Sequence, residues 1–555
     1  MRKKWFKYIV VPFLSIFVLA ILFGFYTYQR ILIKEPSIAD RSVFDLKRQS
    51  IGDSIKVCQD NWLKHDASGL YEMVLSGTPL ELGVKNGILA RELIAYQEDV
   101  FINEIRKKVP SEWYLNFLKY FIAWFNRDIN DYIPLDNRIE IYGISQFTDD
   151  KYDFVAPKYQ RILNYHGAHD IGHALQNMNL VACTGFALWD KKSSDGDLII
   201  GRNFDFFVSD DFAKNKIIAF YKPNKGHRFM FITWGGLTGV VSGMNDAGLS
   251  ITLNSAKSDI PTEAYTPVSI VARNILQHCE NISEAYAEAK KFKTFVAESF
   301  LIGSAKENRA VIIEKSPDTT ALFESSHSQI IATNHYQSSA FEHNLLNIEN
   351  IKESASMYRM NRVKELLLEQ DSMNYLDVAR VLRDQKGLHN RDIGMCNEKA
   401  VNQLIAHHSI IFKPKKMQVW VSTEPFQLGE YICYDLNKAF SNSANYKTKI
   451  HIDSLSIPAD SFLTTTTFSN SQKYRKGVEE IRVAIANNKE LSDNYLNRFI
   501  SYNPRFFYVY KMVGDYYASQ HQKQKALDIY TKALDCEFPR LIDQSDIEQK
   551  IAELK

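Results

Sequence analysis

The stretch from residue 183 to residue 206 constrains the fold most, because it predicts a β-hairpin whose open end carries reactive side chains. Two apolar, β-prone runs at 183–189 and 198–206 flank a Ser-Ser-Asp-Gly turn, and its Asp-Gly pair tolerates positive φ. Antiparallel pairing returns the second run to the start of the first. We therefore expect Arg202 and Asp205 to lie beside Cys183.

A thiol, a guanidinium and a carboxylate in one place allow two interpretations. In the first, Arg202 favours the thiolate of Cys183, which is the nucleophilic form, and Asp205 holds a protonated amine or a water molecule in line. In the second, Cys183 is a small buried strand residue and the two charged residues form a surface ion pair. Spacing alone leaves both interpretations open.

The residues of this hairpin also resemble a known family. The run Cys-Thr-Gly-Phe-Ala-Leu at 183–188, a turn, and Gly-Arg-Asn-Phe-Asp at 201–205 are similar to the start of the mature choloylglycine (bile salt) hydrolases. They also resemble the isopenicillin-N acyltransferases and acid ceramidases, which are likewise N-terminal-nucleophile (Ntn) hydrolases. The resemblance implies an α+β fold, the αββα sandwich, with Cys183 as nucleophile and Arg202 and Asp205 as its neighbours.

Two asparagines follow in the order that the family has them. A second hairpin, predicted over 239–254, ends in Asn254, which the resemblance implies helps to position the scissile amide; the alternative is a strand cap. Thr333-Asn334 resembles the family's Thr-Asn at a strand end. There the resemblance implies that the Asn334 amide receives the developing oxyanion.

A helical element supplies the last residue of the predicted site. The pattern Ser-x-x-Arg-x-x-Arg at 356–362 resembles the family element that places one arginine at the nucleophile. We prefer Arg359 to Arg362 for this role, and solvated arginines on a helix face are the alternative. The resemblance runs from about 183 to 436, with a fainter extension back to residue 77.

The N-terminus predicts a membrane segment. Residues 7–28 are almost wholly apolar and follow a basic cluster, so they are long enough to span a bilayer with the basic end in the cytoplasm. The competing prediction is a cleaved signal peptide, although no clear small-x-small cleavage site follows. The catalytic part would be extracytoplasmic. With 67 Lys+Arg against 65 Asp+Glu, nothing suggests a nucleic-acid partner.

Three patterns indicate how the chain is divided. They are helical periodicity over 76–109, aromatic helical spacing over 113–125 and a tetratricopeptide-like pattern over 507–538. The prediction comprises a membrane anchor or signal (1–35), a helical pro-region (36–182), the Ntn catalytic domain (183–438), a linker (439–471) and a helical tetratricopeptide-like tail (472–555). A single such repeat cannot bury its own face, so it must use a neighbouring helix or dock on the core. The tail is a possible site for a protein partner.

The pro-region contains a histidine cluster that also invites interpretation. On a helix, His166, His169, Asp170 and His173 would share one face, as metal ligands or acid/base groups do. The glutamate of the zinc-protease signature is missing after the first histidine. We prefer a hydrogen-bonded polar cluster that packs near Cys183 or assists its processing, and we expect no metal and no cofactor.

These residues predict a mechanism. In the intact chain the nitrogen of Cys183 is an amide and cannot act as a base, so we predict self-cleavage between Ala182 and Cys183. The freed α-amine, with a reference pKa of about 7.7–8.0, can take the thiol proton. The predicted function is hydrolysis of small-molecule acyl amides such as N-acyl amino acids, bile conjugates or lipid amides. The alternatives are acyl transfer to an amine and a non-catalytic envelope scaffold.

Overall fold

The fold is built on β-strands in two sheets. The computed structural model describes residues 11–174, 181–206, 208–259, 261–405 and 407–555. Within them lie seventeen strands: β1 (Gln49–Ile51), β2 (Ile55–Cys58), β3 (Asn61–His65), β4 (Tyr71–Gly77), β5 (Val181–Asp190), β6 (Gly196–Phe206), β7 (Ile217–Pro223), β8 (Phe229–Thr233), β9 (Ser242–Asn245), β10 (Leu249–Ser255), β11 (Glu298–Ser304), β12 (Arg309–Lys315), β13 (Thr320–Phe323), β14 (Gln329–Ala332), β15 (His408–Lys413), β16 (Gln418–Ser422) and β17 (Tyr431–Asp435).

The α-helices of the described residues cover the sheets and form the C-terminal region. They are α1 (Val11–Ile31), α2 (Pro79–Leu89), α3 (Arg91–Lys108), α4 (Glu112–Phe125), α5 (Ile129–Tyr132), α6 (Leu135–Ser145), α7 (Lys158–Ala174), α8 (Asp210–Ala213), α9 (Val268–His278), α10 (Ile282–Lys291), α11 (Leu345–Glu353), α12 (Ser356–Leu368), α13 (Tyr375–Leu382), α14 (Leu436–Phe440), α15 (Thr466–Ala486), α16 (Asp493–Tyr502), α17 (Phe507–Ser519), α18 (Lys523–Ala533) and α19 (Leu541–Leu554). Helix α1 is long and apolar enough to cross a membrane.

The two sheets lie face to face with helices outside both. One has eleven strands in the order β1-β2-β3-β4-β7-β8-β9-β10-β11-β12-β13, and the other has six in the order β14-β5-β6-β15-β16-β17. Apolar side chains from both sheets meet between them, for example Phe220 and Ile312 against Ile200 and Phe412. Helices α9 and α10 cover the larger sheet, and α12 and α13 cover the smaller one. This is the expected αββα sandwich of an Ntn hydrolase.

The pro-region is part of the sandwich. It is helical from Pro79 onward, but the preceding segment forms β1 to β4, which the sequence analysis did not predict. These strands are three to seven residues long and carry charged residues, so their periodicity is weak. Strand β4 pairs in parallel with β7 over seven residues, from Tyr71↔Ile217 to Gly77↔Pro223. Residues before Cys183 therefore complete the larger sheet.

The C-terminal helices contact the catalytic core. Asn503 Nδ2 donates to the Met395 carbonyl oxygen at 2.9 Å, and Lys399 pairs with Glu537 at 2.7 Å. The segment predicted as a linker lies along the last strand, through isolated bridges that pair His451 and Ile457 with residues of β17. The helices α15 to α19 share an apolar core.

Glycines allow α2 and α6 to cross closely. Thr78 caps α2 in a reciprocal capping box with Glu81, and Pro79 occupies its first turn. A Cβ atom on Gly83 would lie 2.0 Å from the backbone carbonyl oxygen of Glu140, and one on Gly143 would lie 2.8 Å from the nitrogen of Val84. The two helices can approach this closely only because both positions lack side chains.

Gly83→Ala is therefore expected to lower the free energy of unfolding by about 1–3 kcal/mol, because the added methyl group forces the two backbones apart. Gly167→Ala is the matched control. It also lies within a helix, but its Cβ would meet its nearest atom only at 3.8 Å, so it should raise stability by up to about 1 kcal/mol. Urea unfolding of the two variants tests the difference, and equal stabilities would contradict the close crossing.

Candidate active site

The hairpin of β5 and β6 sets the geometry of the site. Its register pairs Cys183 with Phe204 and Gly185 with Arg202, and it pairs residue 182 with Asp205. Side chains of directly opposed residues project to the same face of a sheet. The register thus places the side chains of Cys183, Phe204 and Arg202 on one face of the sheet. Asp205 follows Phe204 directly in the strand, and its side chain projects to the opposite face.

The backbone of residue 183 is held on both sides. Its N–H donates to Oδ1 of Asn334 at 2.9 Å, and its carbonyl oxygen accepts from Nη1 of Arg359 at 2.6 Å. Nη1 also donates to the hydroxyl of Thr184 at 2.8 Å, and Nη2 donates to Oδ1 of Asn334 at 2.7 Å. One guanidinium therefore ties both backbone groups of Cys183 to a single asparagine. Arg362, on the same helix, instead pairs with Asp384 at 2.8 Å.

Arg202 lies against the sulfur. Its Nη2 is 3.5 Å from Sγ of Cys183 and donates to the carbonyl oxygen of Leu253 at 2.5 Å. The guanidinium also stacks over the ring of Phe204, with 4.3 Å between its carbon and the ring centroid. Arg202 is fully buried, so its charge acts on the thiol with little screening by solvent.

Burial still dominates the protonation state of the thiol in this uncleaved chain. Cys183 is 1% exposed, and its burial raises the pKa to about 11, against the opposing effect of Arg202. The carboxyl groups of Asp205 and Glu298 raise the pKa further, whereas a hydrogen bond from the Asp205 backbone lowers it. At neutral pH the sulfur carries its proton and needs a base before it can attack.

Asp205 is a fully buried carboxyl group whose charge acts on the thiol. Burial raises its pKa to about 7, although Arg359 and Arg202 both act to lower it. Its Oδ1 accepts a 3.5 Å hydrogen bond from Gln427, and Oδ2 has no partner among the described residues. This carboxyl group can therefore exchange a proton near neutral pH.

Both asparagines are hydrogen-bonded to neighbouring strands and loops in this chain. Nδ2 of Asn334 donates to the carbonyl oxygen and the hydroxyl of Ser255 at 2.9 and 3.0 Å, so its N–H groups are already engaged. In this chain Asn334 holds the nitrogen of Cys183 and does not present a donor to an oxyanion. Asn254 donates to the carbonyl oxygen of Ala332 at 3.1 Å, and its Oδ1 has no partner within the described part of the chain.

Sequence analysis missed two residues that position Arg202. Its Nη1 donates to the hydroxyl of Ser242 at 2.6 Å and to Nε2 of His408 at 3.3 Å, and that hydroxyl lies 3.0 Å from the same Nε2. His408 accepts from Arg202 and is neutral, since burial lowers its pKa well below the usual range. No motif marked His408, because strand β15 was itself not predicted.

Glu298 is a further buried acid near the site that the sequence analysis did not identify. It is 1% exposed, and neither carboxyl oxygen has a hydrogen-bond partner among the described residues. Burial raises its pKa well above the usual range, and Asp170 raises it further. Burial therefore disfavours the charged form of Glu298, and any charge it does carry acts on both Cys183 and Arg202.

An apolar cleft lies beside this cluster. It encloses about 820 Å³ of empty space, including its solvent-facing mouth. The catalytic segment contributes Phe204, Phe206, Phe212, Trp234 and Val241, and the pro-region contributes Gln97, Glu98, Phe101, Ile162, Tyr165 and His166. Phe204 lines the cleft and lies on the same face of β6 as Arg202, and its paired residue Cys183 is buried behind it, so the cleft offers an apolar group a place near the cluster.

His166 and Asp170 are hydrogen-bonded within the protein. Nδ1 of His166 donates to the carbonyl oxygen of Ile162 at 2.9 Å, and Nε2 accepts from the backbone N–H of Thr238 at 3.0 Å. Asp170 accepts from the N–H of Val268 at 2.9 Å, at the start of α9. These bonds favour the polar-cluster interpretation over metal ligation. The side chains of His169 and His173 lie outside the described residues.

Comparison with known proteins agrees with this arrangement. Residues 190–427 match the family described as "AAT: Acyl-coenzyme A:6-aminopenicillanic acid acyl-transferase". The match contains Arg202, Asp205, Asn254, Asn334 and Arg359 and begins just after Cys183.

Two curated proteins align with part of the chain. An uncharacterized protein of Archaeoglobus fulgidus is 25% identical over 291 residues, covering 48% of each chain. The N-acylethanolamine-hydrolyzing acid amidase of Caenorhabditis elegans is 23% identical over 224 residues, covering 39% of this chain and 59% of its own. The chain thus spans about half the length of the curated relatives it matches.

Two solved structures are also similar to part of the chain. The Caenorhabditis elegans ortholog of N-acylethanolamine-hydrolyzing acid amidase is 17% identical with a TM-score of 0.31, covering 42% of this chain and 93% of its own. A point mutant of the conjugated bile acid hydrolase from Clostridium perfringens is 14% identical with the same TM-score, covering 48% and 97%. The sandwich of two sheets, the motif residues and the family model that matches residues 190–427 together support an Ntn-hydrolase fold for this chain.

Proposed function

We propose that this chain is an amidase that uses Cys183 as its nucleophile and hydrolyses linear amides of acyl groups. One observation supports the proposal most: the sulfur and the backbone nitrogen of Cys183 each have a separate partner. Arg202 reaches the sulfur at 3.5 Å, and Asn334 accepts from the backbone nitrogen at 2.9 Å. When one residue supplies both the nucleophile and its base, its sulfur and its nitrogen each need a partner of their own.

Self-cleavage between Ala182 and Cys183 is part of the proposal. The thiol gives its proton to Asp205, and the sulfur attacks the carbonyl carbon of Ala182. The carbon–nitrogen bond then breaks as the nitrogen takes up a proton, leaving a thioester. Water hydrolyses the thioester, which releases the Ala182 carboxylate and restores the thiol of Cys183 beside a free α-amine.

Turnover follows from the freed amine. The α-amine takes the thiol proton, Arg202 favours the resulting thiolate, and Asn334 holds the α-ammonium through Oδ1. The sulfur attacks the substrate carbonyl, and the ammonium protonates the departing amine as the carbon–nitrogen bond breaks. Water, deprotonated by the same α-amine, then hydrolyses the acyl-enzyme and releases the carboxylic acid.

The substrate class follows from the cleft and from the relatives. Aromatic side chains of the catalytic segment and of the pro-region, including Phe204, which pairs with Cys183, line the cleft, and this lining suits an apolar acyl chain. The related protein of Caenorhabditis elegans is named for hydrolysing N-acylethanolamines. We propose that α1 anchors the protein in a membrane, with the catalytic part outside the cytoplasm, because basic residues precede it.

Acyl transfer to an amine is the second candidate function. The matched family model is named for an acyl-transferase, and it covers five of the six proposed site residues. Both reactions share the acyl-enzyme and differ only in whether water or an amine attacks it. Access of an amine to the thioester therefore decides between them.

The first prediction concerns the covalent state. The purified protein should consist of two fragments, the second beginning Cys183-Thr184-Gly185, and they should stay together in native buffer because β4 pairs with β7. They should separate in denaturant. N-terminal sequencing and gel filtration test this expectation. Cys183→Ala should remain one chain, and an intact wild-type chain with full activity would contradict self-cleavage.

The second prediction concerns pH. Asp205 can accept the thiol proton only when it is ionised, and its pKa is raised to about 7. Cleavage of the refolded full-length chain should therefore slow about tenfold for each pH unit below 7 and level off above it. Asp205→Asn should stay uncleaved at every pH. A rate that rises as the pH falls would exclude Asp205 as the base.

The third prediction concerns the reaction. The wild-type protein should release free amine from a long-chain acyl amide. Arg202→Gln should lower kcat/KM by about 100-fold or more, because the thiolate loses its buried cation. Arg380→Gln is the control, since the Arg380 side chain is 53% exposed on α13, outside the cleft. Adding an amine acceptor separates the two candidates: a new amide as the main product would favour acyl transfer.

A further inference from the structure

Helix α4 carries an exposed aromatic stripe. Trp113, Phe117, Phe121 and Trp124 follow one another at helical spacing and are 77%, 55%, 56% and 41% exposed. Tyr120, at 53%, lies beside them. The opposite side of the helix, with Leu115, Leu118 and Ile122, lines a groove against the protein. Apolar stripes of this size on a protein surface mark a binding surface.

The neighbour of α4 indicates what covers the stripe. Helix α1, the candidate membrane span, contacts α4. The end of α1 is fixed to the protein by an ion pair of Arg30 with Asp128 at 3.0 Å and by a 2.8 Å hydrogen bond from Gln160 to the carbonyl oxygen of Ile31. A bilayer entered by α1 therefore begins beside α4. Tyr28 and Ile31 of α1 and Leu115 and Leu118 of α4 line the same groove.

The composition of this region matches a lipid interface. Tryptophan and tyrosine are enriched where a protein crosses from headgroups to acyl chains, and α4 contains both. Three consecutive basic residues, Arg106, Lys107 and Lys108, close the preceding helix α3. Basic side chains next to an apolar helix face are typical of helices that lie in the plane of a membrane surface.

We propose that the stripe of α4 inserts into the interfacial region of the membrane that α1 enters, in the leaflet on the catalytic side. This inference rests on the membrane location given under the proposed function. It adds a second contact with lipid, which fixes the orientation of the catalytic part.

The insertion also defines a source of substrate. Helix α3 lines the apolar cleft with Gln97, Glu98 and Phe101, and one turn later it lines the groove behind α4 with Ile102 and Ile105. Helix α7 lines both as well. The cleft and the groove behind α4 are therefore about one helix diameter, roughly 10 Å, apart. The substrate is then an amphiphilic acyl amide resident in that leaflet.

Tryptophan quenching tests the insertion. The full chain is reconstituted into phosphatidylcholine vesicles that contain lipids brominated along their acyl chains. Four tryptophans, Trp62, Trp189, Trp234 and Trp420, are at most 7% exposed, so quenching should come from Trp5, Trp113 and Trp124. The variant with Trp113→Phe and Trp124→Phe should lose about two thirds of the quenched emission. Trp189→Phe should leave the quenched emission unchanged.

Equal quenching in the wild type and the double variant would overturn the proposal, because α4 would then be covered by protein or exposed to water. A second variant, with Phe117→Glu and Phe121→Glu, should abolish the quenching of Trp113 and Trp124. It should also slow hydrolysis of a long-chain acyl amide in vesicles about tenfold while leaving a water-soluble short-chain amide unaffected. Ile542→Glu, at a position 67% exposed on α19, is the control.

The fluorescence readout does not depend on catalysis. If the protein hydrolysed no acyl amide but its quenching matched the expected pattern, the proposed function would fail and the membrane contact of α4 would be supported. If it hydrolysed acyl amides and the double variant quenched like the wild type, the proposed function would be supported and the inference about α4 would fail.

Discussion

The arrangement of the site depends on two arginines buried on either side of residue 183. Arg359 holds the backbone of Cys183 through its carbonyl oxygen and through Asn334, while Arg202 reaches the sulfur. Two cations cannot lie this deep without acceptors, because an unpaired buried charge is strongly unfavourable. Carbonyl oxygens, hydroxyl groups and neutral His408 supply those acceptors, so the strands that carry them have little freedom to shift.

The sandwich and the site cannot be separated from the segment that precedes Cys183. Strand β4 joins the larger sheet through β7, and helices α3 and α7 form one side of the apolar cleft. A pro-region that only masked a finished enzyme would leave the sheet complete without it. Here its removal would expose the edge of β7 and open the cleft to water, so the cleavage we propose has to leave both fragments in place.

Local chemistry explains which features could be predicted from the sequence. The hairpin around Cys183 has two apolar runs and an Asp-Gly turn, so its strands and register followed from residues close in the chain. Strands β1 to β4 are short and half-polar, and their pairing with β7 joins residues far apart in sequence, which leaves no periodic signal. His408 lies on an unpredicted strand, and its contact with Arg202 depends on tertiary packing alone. The orientation of the Asn334 amide depends likewise on Ser255 and could not be anticipated.

The same burial has opposite effects before and after cleavage of the chain, on the mechanism we propose. In the uncleaved chain it holds the thiol of Cys183 in its neutral form, with the pKa raised to about 11, because the nitrogen beside it is an amide and brings no charge. Once the nitrogen becomes an α-amine that can take the proton, the sulfur and nitrogen form an ion pair with the cation of Arg202 close by. A dry environment strengthens these attractions, and they oppose the penalty that burial places on the thiolate. On this mechanism, cleavage converts a site that keeps the thiol protonated into one in which the thiolate can attack.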